Sequence, residues 1–295
     1  MRVTAATDRD IAKATKARDV YGSKKDNGRV AVIAGSSEYH GAPALAANAA
    51  YNALAALRVG IGYVYLYVPA SIINPVRALS PSTIVKAFGR RGIGGGSLAE
   101  IRAQLERVDA VVIGMGLGRG RPSLRMASKI IGFAVAGGKK AVVDADAIYA
   151  IRDAGRLNGG VVLTPQDREF EWLSGKSANR HPLKERIALA SSLSERLGCC
   201  ILLKGHDTVV TDGSSAKVIR SGSSSLATMG TGDVLSGIIG GYMAAGAGSF
   251  DAAVAGAYVH ARIGDLLHRK MGNHILPSDV VDAIPTILKR FDIER

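Results

Sequence analysis

LATMGTGDVLSGIIGGYMAAG, residues 226–246, sets a polar turn directly against a long apolar helix. The turn is Gly230-Thr231-Gly232-Asp233, and the helix behind it is rich in small residues. The first N–H groups of such a helix lack intrahelical partners and carry the positive end of its dipole, so an anion is stabilised there. Glycines let the backbone approach a phosphate closely. Asp233 is out of place in a plain anion site, because its carboxylate repels the phosphate unless it has another task. Taking the proton from a hydroxyl beside a nucleotide is such a task. The alternative is that Asp233 only caps the helix. A cap needs one polar residue, whereas a glycine-flanked turn, a carboxylate and a long buried helix coincide here, which favours the functional reading.

Outward from this turn the chain alternates. Residues 29–34, RVAVIA, form a short β-branched run ending at Gly35-Ser36-Ser37, the pattern of a buried parallel strand followed by a phosphate-friendly loop. A helix follows from Gly41-Ala42-Pro43 to about residue 59, with Pro43 in the first turn where its missing N–H costs little. Strands are expected at 63–68, 83–86, 110–113, 140–143, 161–163 and 200–203, and helices at 8–20, 71–79, 98–108 and 121–136, with a flexible glycine loop at 92–96. This alternation predicts an α/β three-layer sandwich, a mostly parallel sheet covered by helices on both faces. Residues 208–211 and 217–220 flank Asp212-Gly213, which predicts an antiparallel hairpin at one edge. A second long helix is expected at 251–271, and Pro277-Ser278-Asp279 starts the last one. With no repeat, low-complexity tract or linker, residues 1–295 read as one domain.

Composition narrows the partners. The net charge is +13 and the pI about 9.9, but lysine and arginine are scattered and the densest clusters, Lys24-Lys25 and Arg90-Arg91, are short. Without aromatic residues interleaved to stack bases, nucleic acid is not an expected partner. The charge favours small anionic substrates instead. No apolar run is long enough to span a bilayer and no signal-peptide core is visible, so no membrane association and a cytoplasmic location are expected. Cys199 and Cys200, the only cysteines, read as core.

In open parallel sheets ligands bind at the carboxyl ends of the strands. Those ends carry Gly35-Ser36-Ser37, Gly114-Met115-Gly116-Leu117-Gly118, Asp144 and Asp146, Thr164-Pro165-Gln166 with Glu169, and Lys204-Gly205. Each alone is commonplace; their gathering at one edge is not.

Taken together with Tyr39-His40-Gly41-Ala42-Pro43, Asp144-Ala145-Asp146-Ala147, Thr208 and the 226–246 stretch, these motifs resemble the ADP/ATP-dependent NAD(P)H-hydrate dehydratases of the ribokinase-like superfamily, over about residues 20–290. The resemblance implies a nucleotide and Mg²⁺ that phosphorylate the hydroxyl of a hydrated nicotinamide ring (NADHX or NADPHX), then loss of phosphate. It assigns hydrate contacts to Ala42, Gly116, Gln166 and Asp233, and adenylate contacts to Lys204, Gly205, His206, Asp207, Thr208 and Gly232. Asp233 is the implied general base, with the N–H groups around Gly230, Thr231 and Gly232 holding the transferred phosphoryl group. Glu169 is a candidate to orient Mg²⁺ through water, and otherwise a first-turn helix acid. A homo-oligomer, tetrameric by resemblance, is expected, its contacts served by alanine- and glycine-rich helices.

Several positions depart from the family pattern: Gln166 replaces a histidine and Asp167-Arg168 the Pro-Gly after it, Ser223 replaces an asparagine and Met229 a glycine. A methionine there is expected to narrow or dry the anion hole. Gln166-x-x-Glu169 resembles the Asn-x-x-Glu of vitamin and sugar kinases, which makes a small-molecule kinase the rival reading. A nucleotide-binding regulator without turnover is the third, and the presence of Asp233 argues against it.

Overall fold

Apolar residues alternate strictly between the two faces of the central strands, and that alternation builds both cores. Val30 and Val32 belong to one buried cluster, Ala31 and Ile33 to the other. The computed structural model describes residues 1–36, 42–90, 93, 98–152 and 155–295, with side chains for all of these except 42–48, 50 and 100. Ser37, Tyr39, His40, Gly41, Arg91 and most of the 92–96 loop lie outside the described residues.

In chain order the elements are β1 (Arg2–Ala5), α1 (Asp8–Ala14), β2 (Arg29–Ile33), α2 (Ala42–Arg58), β3 (Tyr63–Val68), α3 (Ile73–Leu79), β4 (Ile84–Ala87), α4 (Leu98–Leu105), β5 (Ala110–Ile113) and α5 (Arg121–Ala136). Then come β6 (Lys140–Val143), β7 (Val161–Leu163), α6 (Asp167–Ser174), α7 (Leu183–Leu197), β8 (Cys200–Leu203), β9 (Thr208–Thr211), β10 (Ser215–Ile219), α8 (Thr231–Ala244), α9 (Ser249–Met271) and α10 (Pro277–Leu288). The sheet runs β1-β10-β9-β8-β7-β6-β5-β2-β3-β4. Among the described residues only β8–β9 and β9–β10 pair antiparallel. Helices α2, α8, α9 and α10 cover one face and α4 to α7 the other, the three-layer arrangement expected.

The hairpin is not the outermost pair. β1 adds to it, parallel to β10; its four residues are largely exposed and carry no apolar run, so nothing in the sequence marked them. The helix expected over 8–20 stops at Ala14, where Thr15 turns extended and its N–H closes on Ile11, and Arg18 pairs with Glu294 instead. The helix expected to 108 ends at Leu105.

α8 runs through the interior with nearly every residue buried. Its glycines are contact points within the subunit. A Cβ on Gly237 would lie 2.2 Å from the Asn52 carbonyl oxygen of α2, and one on Gly240 would lie 2.3 Å from Val112 of β5. The small residues of α8 therefore serve packing within the subunit. Cys199 and Cys200 are free and buried, as read. Among the described residues no helix is long and apolar enough to cross a membrane.

Candidate active site

The turn before α8 is shaped by Gly230, whose φ of +95° is left-handed and suits glycine. Asp233 follows as the third residue of the helix. Its carboxylate accepts no hydrogen bond among the described residues, so the capping role is not the one it plays. Burial, reinforced by the like charge of Asp144 and only partly offset by Lys204, pushes its pKa up to about 8. Its main chain is fixed from outside: Asn52, fully buried on α2, donates from Nδ2 to the Asp233 carbonyl at 2.9 Å.

A polar cluster faces it across the strand ends. Lys204, just past β8, places Nζ 2.9 Å from Asp144 Oδ1, just past β6. Ser236, one turn along α8 from Asp233, donates to the other Asp144 oxygen at 2.5 Å. Burial would raise the Asp144 pKa, but Lys204 and Ser236 outweigh it and hold it below the usual carboxylate range. Burial would lower Lys204, yet Asp144, Glu169 and Asp233 keep the ammonium above its ordinary value. One carboxylate of the pair is thus held ionised and the other biased towards the proton, the separation that distinguishes an electrostatic anchor from a general base.

The Lys204 ammonium reaches the anion turn: a Cβ on Gly232 would stand 3.8 Å from Nζ with nothing nearer. Of the N–H groups around Gly230, Thr231 and Gly232 expected to hold the phosphoryl group, that of Thr231 turns to the Thr228 carbonyl at 3.3 Å, while that of Gly232 has no acceptor among the described residues. In the 204–208 segment Arg186 of α7 donates to the carbonyls of Lys204 and Asp207, at 3.1 and 3.0 Å, and so fixes the loop. The Thr208 hydroxyl donates to the Gly205 carbonyl at 3.2 Å, and His206 projects into solvent. Asp144, Ser236, Asn52 and Arg186 were given no role from sequence. Asp144 stood in the strand-end series, whereas Asn52 was visible only as a polar residue on an alanine-rich helix face.

Ala42 is the first residue of α2, and Gly116 sits in the left-handed turn after β5 with φ +62°. Gln166 is the N-cap of α6, and Glu169 accepts from its backbone N–H at 2.9 Å and from its side-chain amide at 3.2 Å. Glu169 is buried, which raises its pKa despite Lys204. Both its oxygens are engaged in this capping box. Among the described residues no three His, Cys, Asp or Glu side chains stand together as a metal cage. That donor set fits a metal only in the form Mg²⁺ commonly takes, held by nucleotide phosphates and water with one or two carboxylates nearby; Glu169, reached through water, would be such a carboxylate.

Met229 does not narrow the anion turn: it is 76% exposed and points to solvent. Ser223 caps the short turn before α8, accepting from the Ser225 N–H.

A mostly parallel sheet with this glycine turn at the head of a buried helix defines a ribokinase-like protein. The structure superposes on the ADP/ATP-dependent NAD(P)H-hydrate dehydratase of Bacillus subtilis, co-crystallised with ATP and Mg²⁺, with a TM-score of 0.77 over 95% of this chain and 96% of that one, at 24% identity. The family model for NAD(P)H-hydrate dehydratase matches residues 30–286, and the chain belongs to that family. It is 33% identical over 286 residues to the bifunctional NAD(P)H-hydrate repair enzyme Nnr of Pyrobaculum aerophilum, covering 97% of this chain but 55% of that protein. It is 32% identical to the ADP-dependent (S)-NAD(P)H-hydrate dehydratase of Cenarchaeum symbiosum, covering 96% of both. The chain thus spans about half of the bifunctional relative and nearly all of the single-function one.

Proposed function

We propose that this chain returns hydrated NADH or NADPH to the parent dinucleotide at the expense of ADP or ATP. The observation that carries the reading is Asp233: a carboxylate with its pKa pushed up to about 8, at the head of α8 beside Lys204, with no hydrogen bond to it and no acceptor for the Gly232 N–H among the described residues. Asp233 takes the proton of the hydrate hydroxyl as that oxygen attacks the terminal phosphorus, and the bond to the nucleotide's bridging oxygen breaks. Lys204 and the Gly232 N–H balance charge on the transferred group. Elimination then breaks the ring carbon–oxygen bond, a proton leaves the adjacent carbon, and the ring double bond returns as phosphate departs. Mg²⁺, when bound with the nucleotide, neutralises phosphate oxygens.

Ala42, Gly116 and Gln166 line the hydrate side in this reading, and Lys204 to Thr208 with Gly232 the adenylate side. The family resemblance adds a cytoplasmic homo-tetramer, whose contacts must lie elsewhere than on the glycine face of α8. The test is to supply hydrated NADH or NADPH with Mg²⁺ and either ADP or ATP, and to follow the near-ultraviolet absorbance of the dihydronicotinamide. Nucleotide-dependent recovery, absent in Asp233→Asn, is expected. No recovery from a folded protein that binds adenine nucleotide would refute the reading.

A further inference from the structure

Next to the site stands a group of side chains that the chemistry above leaves unused. Arg119, the third residue after Gly116, donates from Nε to Asp146 at 3.0 Å and lies over the Tyr149 ring at 4.2 Å. Tyr149 meets Trp172 with ring centroids 5.4 Å apart and planes tilted by 49°. Arg152 covers the Trp172 ring at 4.7 Å. With Arg168, Glu171 and Gly175, the residues Tyr149, Arg152 and Trp172 line an open depression of about 420 Å³. Trp172 is 41% exposed, so part of an indole whose burial would favour the fold is left facing water. Neither Arg152 nor Arg168 forms a salt bridge among the described residues.

The depression shares its elements with the residues assigned above to the hydrate side. Arg119 continues the turn of Gly116, and Asp146, which holds Arg119, lies two residues beyond Asp144. Arg168 and Trp172 stand on α6, whose N-cap is Gln166. A dinucleotide with its nicotinamide end at Gly116 and Gln166 would meet these residues next along α6 and the turn after β5. The Lys204 to Thr208 segment lies past β8, two strands along the sheet from β6, and is left to the phosphate donor.

We propose that Tyr149, Arg152, Arg168 and Trp172 form the subsite for the adenosine end of the dinucleotide substrate, and that the two arginines select its 2′-phosphate, favouring NADPHX over NADHX. The inference rests on the dehydratase reading for the identity of its ligand. Indole and phenol faces stack adenine whatever its sugar carries. A guanidinium gives a phosphate two parallel charged hydrogen bonds, which a ribose hydroxyl cannot return. Among the described residues Glu171 is the one acid lining the depression; it would accept from a ribose hydroxyl and repel a phosphate, and two arginines outweigh it.

Trp172 is the only tryptophan in the chain, so indole emission reports on this depression alone. NADP⁺ and 2′,5′-ADP are expected to quench it at concentrations about tenfold below those needed for NAD⁺ and 5′-AMP, and Arg152→Ala or Arg168→Ala should erase that difference. In turnover, the ratio of kcat/KM for NADPHX to that for NADHX should fall about tenfold in either variant. Emission unmoved by saturating NADP⁺, or a ratio unchanged in both variants, overturns the proposal. Binding needs no turnover, so the two readings fail separately. Quenching by NADP⁺ in a protein that dehydrates nothing supports the subsite and refutes only the dehydratase reading; dehydration with a silent Trp172 does the reverse.

Discussion

At the residue scale the chemistry turns on Asp233 and Asp144. A general base must be ionised to act, and Asp233 with its pKa near 8 is mostly protonated at neutral pH in the ligand-free site. The expected kcat/KM profile for hydrate therefore rises with pH to a midpoint near 8, well above an ordinary aspartate. Asp144→Asn removes the like charge that pushes Asp233 up and frees Lys204 to pair with it, so the midpoint should move to lower pH. The same variant leaves Lys204 without its closest counter-charge and is expected to cost about 3 kcal/mol of stability, read from denaturant unfolding. Asp233 also links stability to pH. Its folded pKa lies above the unfolded value of 3.8, so between about pH 4 and 8 the folded state alone keeps the proton and stability falls as pH rises through that window. Asp233→Asn should abolish turnover yet raise stability at pH 8, on the order of 2 kcal/mol. A loss of stability there would mean that the carboxylate serves the fold.

At the scale of elements, α8 couples the site to the core. It presses against α2 so closely that a Cβ on Gly237 would lie 2.2 Å from the Asn52 carbonyl oxygen and 2.9 Å from the Ala55 methyl. The backbone on one side of that contact carries Asn52, whose amide holds the Asp233 carbonyl. Gly237→Ala must part the helices, with an expected loss of about 1–3 kcal/mol seen as a lowered Tm, and a fall in kcat from the displaced Asp233. The same helix shows what the sequence could and could not carry. Its start at the glycine turn and its burial were legible, because a run of small and apolar residues behind a polar turn has one stable placement. The use of its glycines was not, since close packing inside a subunit and between subunits demands the same residues. β1 escaped notice for a different reason: it is short and exposed, and only its partner β10 makes it a strand.

At the scale of the whole molecule, the mostly parallel sheet and the gathering of polar residues at one sheet edge were legible from short apolar runs and the residues that end them, whereas the strand order came only with the structure. Asp144, Lys204, Glu169 and Asp233 do meet there. Their division of labour was not legible, because it depends on distances across strands far apart in sequence: Lys204 to Asp144 spans 60 positions and Ser236 to Asp144 spans 92. Glu169 shows the limit from the other side, since a buried acid at a strand end reads equally as a metal contact or as the capping box it forms with Gln166. In the proposed reaction, phosphoryl transfer at this site ends in elimination. The most direct measurement follows inorganic phosphate and dihydronicotinamide together in one reaction with Mg²⁺, nucleotide and hydrate. The account predicts that they appear in equal amounts and at equal rates; a stable phosphorylated product, with nucleotide consumed and no dihydronicotinamide regained, would contradict it and mark the protein as a kinase.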